Sequence, residues 1–575
     1  RVACQKTKTK HSREEEQGVC AVPHRFPVFS AKRLCTMKHV KQHKSMEAAW
    51  SYLLHLEDED CSKVNDEEIG NEAVEKSEIT SADIPVDDQL LHLNDGAKLI
   101  ICMVGKPARG KTYLGAKIQR YLSWLGYKAK HVETVEVRRK MFGKVEPDDF
   151  FDPNSIEMTE QRQAAQEHAL KQAVEWLQDG GQVVIYDATN STKTRRKWAT
   201  DFIQTNLKDK TELDSVVSHR ILWVESVCED KDLIVQNFLQ LRKKNPEFTE
   251  YKGLDEKQAV AKFLDKLKFY DREYETLDAG KEELSFLKLN DFGKSLTVQG
   301  IQGYLESKLV SFCMNIHTEP RTIILVRHGQ SEYNIQDRIG GDPALTKVGA
   351  EFGKNLAKYI EEQGPNGLRE VDPDNEPRKN SDDRNCYSFD PARDLLVWSS
   401  NLRRTVQTIK GVKCRAHVPW AALAEIDAGV CECMTYADFR EKLPAQYVKR
   451  QRNKAMWRYP GGESYMDVKR RLEPVIFELE RQRRPVLICA HRAVLRCLYS
   501  YFVGIGITTA PFLPFPLHTA LVLTPGCKGW REHRVALPPN VGDLGAHEKD
   551  VQAAAKKIIK SKAKRRRLNA ENQTN

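Results

Sequence analysis

The feature that most constrains this chain is an uninterrupted apolar run, Leu99 to Val104, that ends in Gly105-Lys106-Pro107-Ala108-Arg109-Gly110-Lys111-Thr112 and then in the helically spaced residues Tyr113, Ala116, Ile118, Tyr121 and Leu122. A continuous apolar run of strand length suits a parallel strand covered on both faces. A G-x-x-x-x-G-K-[ST] turn between such a strand and a helix is a phosphate loop. Its glycines let backbone N–H groups close on phosphate oxygens, the helix N-terminus adds positive potential, Lys111 reaches the terminal phosphates, and Thr112 offers a hydroxyl to Mg2+. The same alternation returns as a helix over Gln161 to Leu177, strands over Val183 to Tyr186 and Arg220 to Val224, and a helix over Glu256 to Leu267. A doubly wound, mainly parallel α/β domain is therefore expected over 97–318.

A second start lies at Thr322 to Val326, another buried-strand run, with later strands at Leu395 to Trp398 and Val486 to Cys489. These predict a second α/β domain over 319–545, with an unpatterned loop insertion at 364–393. The first 96 residues separate into a basic block and an acidic block, Glu57 to Asp95, with fourteen acids against two lysines. Such blocks bury little, so a mostly disordered arm is expected, with one short helix near Met46 to His55.

The formal net charge of +10 invites a nucleic-acid partner, but eight basic residues and no acid fall between Lys556 and Arg567, leaving the remainder close to neutral. The tail over 546–575 reads as a solvated end or a nuclear-import or polyanion signal, and a nucleic-acid repair kinase–phosphatase is disfavoured. No 18-residue apolar stretch or signal-peptide pattern is visible, and fourteen cysteines lack C-x-x-C pairing. Reduced thiols in a cytoplasmic protein are expected.

Two constellations carry chemistry. Asp187, in Asp-Ala-Thr-Asn at the end of a strand, can hold a metal or take a proton from an attacking hydroxyl; a helix N-cap is the alternative. Arginines at 138/139, 162 and 195/196 share its domain and suit an anionic acceptor as well as they suit solvent. In the second domain Arg327 and His328 follow one apolar strand, His491 follows another, and Arg404 follows a third. Two histidines and two arginines at strand ends suit a phosphoryl-enzyme mechanism, with Glu425 protonating the leaving oxygen and later activating water.

The ordered motifs G-K-P-A-R-G-K-T-Y, D-A-T-N, R-H-G-Q-S-E-Y-N, R-I-G-G-D, E-I-D-A-G-V-C-E, M-T-Y, R-Y-P-G-G-E-S-Y and R-L-E-P-V-I-F-E-L-E-R-Q resemble the bifunctional 6-phosphofructo-2-kinase/fructose-2,6-bisphosphatase family over about Lys98 to Thr524. The resemblance implies a P-loop kinase domain followed by a histidine-phosphatase, phosphoglycerate-mutase-like α/β domain. It implies transfer of the γ-phosphate of MgATP to the 2-hydroxyl of fructose 6-phosphate, and removal of that phosphate from fructose 2,6-bisphosphate through phosphorylated His328. ATP is then expected at Gly105 to Tyr113 and at Asn237 and Arg242. Fructose 6-phosphate is expected at Arg138, Arg162, Thr189, Arg195, Arg242, Lys266 and Tyr270, and Asp187 and Cys228 match catalytic positions. In the second domain Glu425 matches the proton donor. Arg327, Asn334, Gly340, Arg404, Tyr436, Arg450, Lys454, Tyr465, His491 and Arg496 match positions that bind the bisphosphate or its transition state. A homodimer is implied as well.

The chain departs from the resembled pattern at Gln163 for Lys, Arg242 for Lys, Lys266 for Arg, Gln330 for Glu and Arg492 for Gln. Arg492 adds a guanidinium beside the phosphate pocket and predicts slow product release. One dominant activity, or a weakly catalytic sugar-phosphate sensor, are the competing readings.

Overall fold

In the computed structural model the described residues are 98–143, 155–207, 219–244, 251, 253–317, 321–369, 390–526 and 529–538, and they belong to one compact unit. The expected leader, its short helix and the basic tail lie outside them. Two six-stranded sheets organise the rest.

The first sheet has the order β2-β3-β1-β4-β5-β6, formed by β1 (Lys98–Val104), β2 (Ala129–Glu133), β3 (Val183–Asp187), β4 (His219–Val227), β5 (Phe286–Asn290) and β6 (Ser295–Gln299). All pairs are parallel except the closing β5–β6 hairpin. β1 has a neighbour on each side and is buried at every residue but Lys98, which is why it reads as an unbroken apolar run. The helix Lys111–Leu125 starts directly from the phosphate loop, with Gly110 at its N-cap at φ 75°.

The second sheet has the order β12-β11-β7-β10-β8-β9, formed by β7 (Ile323–Arg327), β8 (Leu396–Ser399), β9 (Ala416–Pro419), β10 (Val486–Ala490), β11 (Thr519–Gly526) and β12 (Gly529–Ala536). Strands β7, β10, β8 and β9 run parallel, and an antiparallel β11–β12 hairpin closes the far edge. Two expectations need correction. Arg327 is the last residue of β7 rather than the first beyond it, because a buried arginine at the sheet's carboxyl edge still pairs with Ala490. The 364–393 segment is not a loop throughout: the helix Lys347–Arg369 runs into it and a helical turn, Pro391–Asp394, ends it.

One hydrophobic core passes through both sheets' coverings. Leu114, Ile118, Tyr121, Leu122 and Trp124 of the phosphate-loop helix join Leu472, Ile476 and Leu479 of the helix Tyr465–Arg481 and Val494, Leu498 and Tyr501 of the helix Arg492–Val503. Tyr121 stacks on Phe312 with centroids 4.3 Å apart, Trp124 meets Tyr501 edge-on, and the Trp124 indole N–H donates to the Cys497 carbonyl at 3.0 Å.

Polar contacts fix the fit. Lys117 pairs with Glu480, both side chains being almost wholly buried. Glu480 also accepts from Arg321 at 3.3 Å and from the Tyr501 hydroxyl at 2.7 Å. Despite burial, Lys117 and Arg321 hold the Glu480 carboxyl well below the ordinary carboxylate range. Removing Lys117 leaves the buried Glu480 carboxylate only Arg321 as a cation, and breaking a buried pair costs up to roughly 3–5 kcal/mol. We therefore expect Lys117→Met to lower the unfolding free energy by that order in equilibrium urea denaturation at neutral pH; an unchanged midpoint would show the pair to be dispensable.

Candidate active sites

At the first site the chain leaves β1 through Gly105 at φ 143°, where a Cβ would sit 2.7 Å from the Ser226 carbonyl. The Ser226 hydroxyl donates to the Arg109 carbonyl at 2.5 Å, the Asn237 amide donates to the Ala108 carbonyl at 3.3 Å, and the Gly105 N–H donates to the Thr189 carbonyl at 3.0 Å. Three neighbouring elements thus hold the loop open. Ala108 adopts φ 59°, a strained value for a residue with a Cβ, of the kind found where a loop is shaped for a ligand. Arg109 donates to the Pro107 carbonyl at 2.9 Å. Lys106 pairs with Asp271 of the helix Glu256–Glu273.

Lys111 donates to the Lys106 carbonyl at 2.8 Å. Burial pushes its ammonium down to about 8, Asp187 pulls it up, and Arg109 adds to the depression. Asp187 is therefore close enough to Lys111 for their charges to interact. It is the last residue of β3 and is almost buried, so the N-cap alternative fails: the following helix starts at Lys193 with Thr192 as its cap. Thr112 is exposed in the helix's first turn, and Tyr113 donates to the His317 carbonyl at 3.3 Å.

Most of the other expected kinase-site residues lie on helices of the same half of the chain. Lys266 and Tyr270 lie one turn apart on the helix that carries Asp271, and both are half-buried. Arg138 is buried on the helix Thr134–Phe142, Arg195 is half-buried on the helix Lys193–Asn206, and Arg162 donates to Thr159 at 2.7 Å within its own helix. Arg242 donates to the carbonyls of Tyr251, Leu254 and Asp255, so its guanidinium is engaged by main-chain acceptors at the start of the helix Glu256–Glu273. Arg196 is structural: its guanidinium chelates Glu282 at 2.9 and 2.6 Å and also binds the Asn190 and Glu275 carbonyls. Cys228 is buried in an apolar cluster with Ile234, Phe238 and Phe292, and burial pushes its thiol up. A protonated buried thiol is a poor nucleophile.

At the second site, β7 and β10 are neighbours in parallel register, Ala490 opposite Arg327, so His328 and His491 leave the sheet at the same level. Their rings lie 5.2 Å apart, and both are buried. His328 Nδ1 is 2.7 Å from the Gly329 carbonyl. A carbonyl only accepts, so Nδ1 carries the proton and Nε2 keeps its lone pair. His491 Nε2 contacts the Ser400 hydroxyl at 2.7 Å, and its Nδ1 is buried without a protein hydrogen bond among the described residues. Arg404 donates to the Gly341 carbonyl at 2.7 Å, while Thr408 accepts from the Gly329 N–H at 2.9 Å.

Both imidazoles are held well below the ordinary histidine value, by burial first and then by the nearby cations Arg404 and Arg327. Glu425 accepts from the Ile426 N–H at 3.0 Å and lies near enough to Arg404 to influence it. Arg471 fastens this segment by donating to the carbonyls of Ala422, Ala424 and Glu425 and to the Glu463 carboxylate.

Beside the histidines stands a concentration of positive charge. Arg450 lies 5.5 Å and 5.6 Å from the Tyr436 and Tyr459 ring centres, and Arg496 donates to the Tyr465 hydroxyl at 3.3 Å. Lys454 is depressed well below the ordinary lysine range by burial and then by Arg496, Arg450 and Arg492. Such crowding of cations is relieved by a bound polyanion. Gly340 adopts φ 66° against the Glu432 carboxylate, where any Cβ would collide. Asn334 caps a short turn, its carbonyl oxygen accepting from Ser331 N–H and hydroxyl. Gln330 is buried and accepts from Thr346 at 2.9 Å.

Sequence reasoning overlooked Ser400, Tyr459 and Arg471. Ser400 follows a buried strand directly, as His328 and His491 do, and that placement was an available signal; Arg471 is a helical arginine with no local signature.

A phosphate loop at the carboxyl edge of one parallel sheet and paired histidines at that of another define an ATP-dependent kinase joined to a histidine phosphatase. Comparison with known proteins agrees. The profile of 6-phosphofructo-2-kinase matches residues 87–320, and that of the histidine phosphatase superfamily (branch 1) matches residues 388–537. A Rattus norvegicus protein named 6-phosphofructo-2-kinase/fructose-2,6-bisphosphatase 3 is 37% identical over 479 residues, covering 82% of this chain and 78% of that protein. An Arabidopsis thaliana 6-phosphofructo-2-kinase/fructose-2,6-bisphosphatase is 36% identical over 456 residues, covering 79% of this chain and 56% of its own length. The chain belongs to the 6-phosphofructo-2-kinase/fructose-2,6-bisphosphatase family.

The depressed imidazoles are directly measurable. In the ligand-free protein, NMR titration is expected to find the His328 and His491 rings neutral at pH 6, where a free histidine with a value near 6.5 is mostly charged; midpoints near 6.5 would contradict the burial argument.

Proposed function

We propose that this protein makes and degrades fructose 2,6-bisphosphate, with a kinase domain over 97–318 and a phosphatase domain over 319–545. What supports this most is the coexistence of a phosphate loop facing Asp187 with a neutral, tautomerically fixed His328 beside Arg327 and Arg404.

In the kinase direction the loop N–H groups and Lys111 hold the ATP phosphates. Asp187 accepts the proton of the fructose 6-phosphate 2-hydroxyl as its oxygen attacks the γ-phosphorus and the bond to ADP breaks. The residues fit Mg2+: Thr112 presents a hydroxyl at the mouth of the loop, and the ion would neutralise phosphate charge when bound. Arg138, Arg162, Thr189, Arg195, Lys266 and Tyr270 receive the sugar phosphate. Asn237 and Arg242 act by shaping the nucleotide loops, and no covalent step is assigned to Cys228.

In the phosphatase direction His328 Nε2 attacks the 2-phosphorus. Glu425 protonates the departing C2 oxygen, releasing fructose 6-phosphate, and its carboxylate then takes a proton from the water that opens the phosphohistidine. Arg327, Arg404 and His491 stabilise the phosphoryl charge in flight. Arg450, Lys454, Tyr465, Arg492 and Arg496, with Tyr436, bind the phosphate that stays, while Asn334 and Gly340 shape the rim. Homodimerisation and cytoplasmic residence accompany this reading on family membership alone; no helix among the described residues is long and apolar enough to cross a membrane.

Lys111→Ala is expected to cost at least about 100-fold in kinase turnover and leave bisphosphatase turnover within about two-fold, and His328→Ala the reverse. Fructose 2,6-bisphosphate labelled at the 2-phosphate should leave acid-labile label on His328. Loss of both activities from either substitution would contradict separate sites. Arg492→Gln should weaken product inhibition of the phosphatase by fructose 6-phosphate and raise its turnover, since a cation that binds product as tightly as transition state slows release; unchanged inhibition would remove that role.

A further inference from the structure

The helix that follows the phosphate loop contains a glycine, Gly115, in its second turn, where glycine costs about 0.5–1 kcal/mol relative to alanine. No turn requires it. A Cβ at this position would lie 2.8 Å from Nε2 and 3.1 Å from Cε1 of His131, so the imidazole occupies the room that an ordinary side chain would take. His131 is on β2, paired with Ile185 of β3, and Glu133 is paired with Asp187. Alternation along the two strands puts His131, Glu133, Ile185 and Asp187 on one face of the sheet, and the closeness of Gly115 to both His131 and Ile185 makes it the face covered by this helix.

The contacts are directional. His131 Nε2 lies 3.3 Å from Asp187 Oδ2, and the two side chains are 6% and 5% exposed. The other ring nitrogen, Nδ1, lies 4.0 Å from Glu133 Oε1. A ring between two carboxylates, with only one within hydrogen-bond reach, donates a hydrogen bond from its Nε2–H to Asp187.

We propose that His131 is a positioning residue for the kinase reaction: it clamps one oxygen of Asp187 so that the other faces the substrate hydroxyl, and Gly115 leaves the room in which its ring sits. This rests on the proton-accepting role given to Asp187 above. An unclamped carboxylate rotates among orientations of which few serve the attack, and misplacement on the ångström scale costs up to about 100-fold in rate. Ground-state binding of ATP and sugar phosphate does not use this oxygen, so the loss belongs to kcat.

The test uses the full chain and the second active site as an internal control. His131→Val should lower kinase kcat by roughly 10- to 100-fold, with KM for ATP and fructose 6-phosphate within about two-fold and bisphosphatase turnover unchanged. His131→Gln, which restores an N–H donor, should recover most of the loss. Gly115→Ala should displace the ring and reproduce the defect, and the Gly115→Ala/His131→Val double variant should be no worse than His131→Val alone. Asp187→Asn separates the two levels. If it abolishes kinase turnover while His131→Val leaves it intact, the inference fails and the role of Asp187 stands; if Asp187→Asn keeps its turnover, both fall. A defect in His131→Val that His131→Gln does not relieve, or that lowers bisphosphatase turnover equally, would overturn positioning in favour of packing.

Discussion

The fold depends on the phosphate-loop helix being wanted on two sides at once. Its first turn must stand at the end of β1 to present N–H groups to a phosphate, which fixes its position against the first sheet. Its last two turns are buried by residues of the second sheet's covering helices, Tyr121 and Trp124 against Phe477, Tyr501 and Cys497. Burying each such aromatic side chain is worth about 1.5–3 kcal/mol, so this helix cannot move without disturbing both halves of the molecule. The helix Arg492–Val503, whose N-cap is His491, packs against it, so the backbone elements that start at Lys111 and at His491 meet in a single core.

Within that core the Lys117–Glu480 pair contributes something other than net attraction. Desolvating two charges cancels much of what their proximity returns, and an apolar pair of similar volume would hold the helices as firmly. What the ions add is discrimination. Any sliding of the phosphate-loop helix along the helix Tyr465–Arg481 would separate Glu480 from Lys117, and breaking a buried ion pair is costly enough to disfavour that register. The same logic explains Lys469, buried and pushed down to about 8, whose ammonium nonetheless donates to the Leu125 carbonyl at 2.7 Å at the end of the phosphate-loop helix.

Legibility in the sequence followed burial. β1, β3, β7 and β10 were evident because parallel strands covered on both faces are continuously apolar, and the residues that end them, Asp187, Arg327 and His328, stood out as polar groups where a core run stops. β2, with Lys130, His131 and Glu133, was missed because an edge strand that lends its polar side chains to a site has no apolar signature. The helices Tyr465–Arg481 and Arg492–Val503 were missed as elements although a motif of the first and Arg492 and Arg496 of the second were noticed, the first because Pro474 lies inside it and reads locally as a break. Contacts across the chain are beyond such reading: nothing local in Gly115 says that a histidine sixteen residues later needs its space.

The two candidate sites handle charge in opposite ways, and this follows from what each must release. The phosphate loop relies on main-chain N–H groups and on Lys111, whose charge is offset by Asp187, while Lys106 is paired with Asp271 and Arg109 donates to the Pro107 carbonyl, so its attraction for a triphosphate depends on fit. In the second site Arg450, Lys454, Arg492 and Arg496 crowd together strongly enough to depress the lysine, a charge that a bound anion would relieve. Fructose 6-phosphate is, on the proposed reading, the substrate of the first and the product of the second. The cationic cluster alone would hold product and bisphosphate alike; on that reading the difference between them rests on the 2-phosphate, which would meet Arg327, Arg404 and two neutral imidazoles. Keeping those rings uncharged serves both steps, because His328 needs its Nε2 lone pair to attack, and fewer fixed positive charges there leave less to retain free phosphate once the phosphohistidine has been opened.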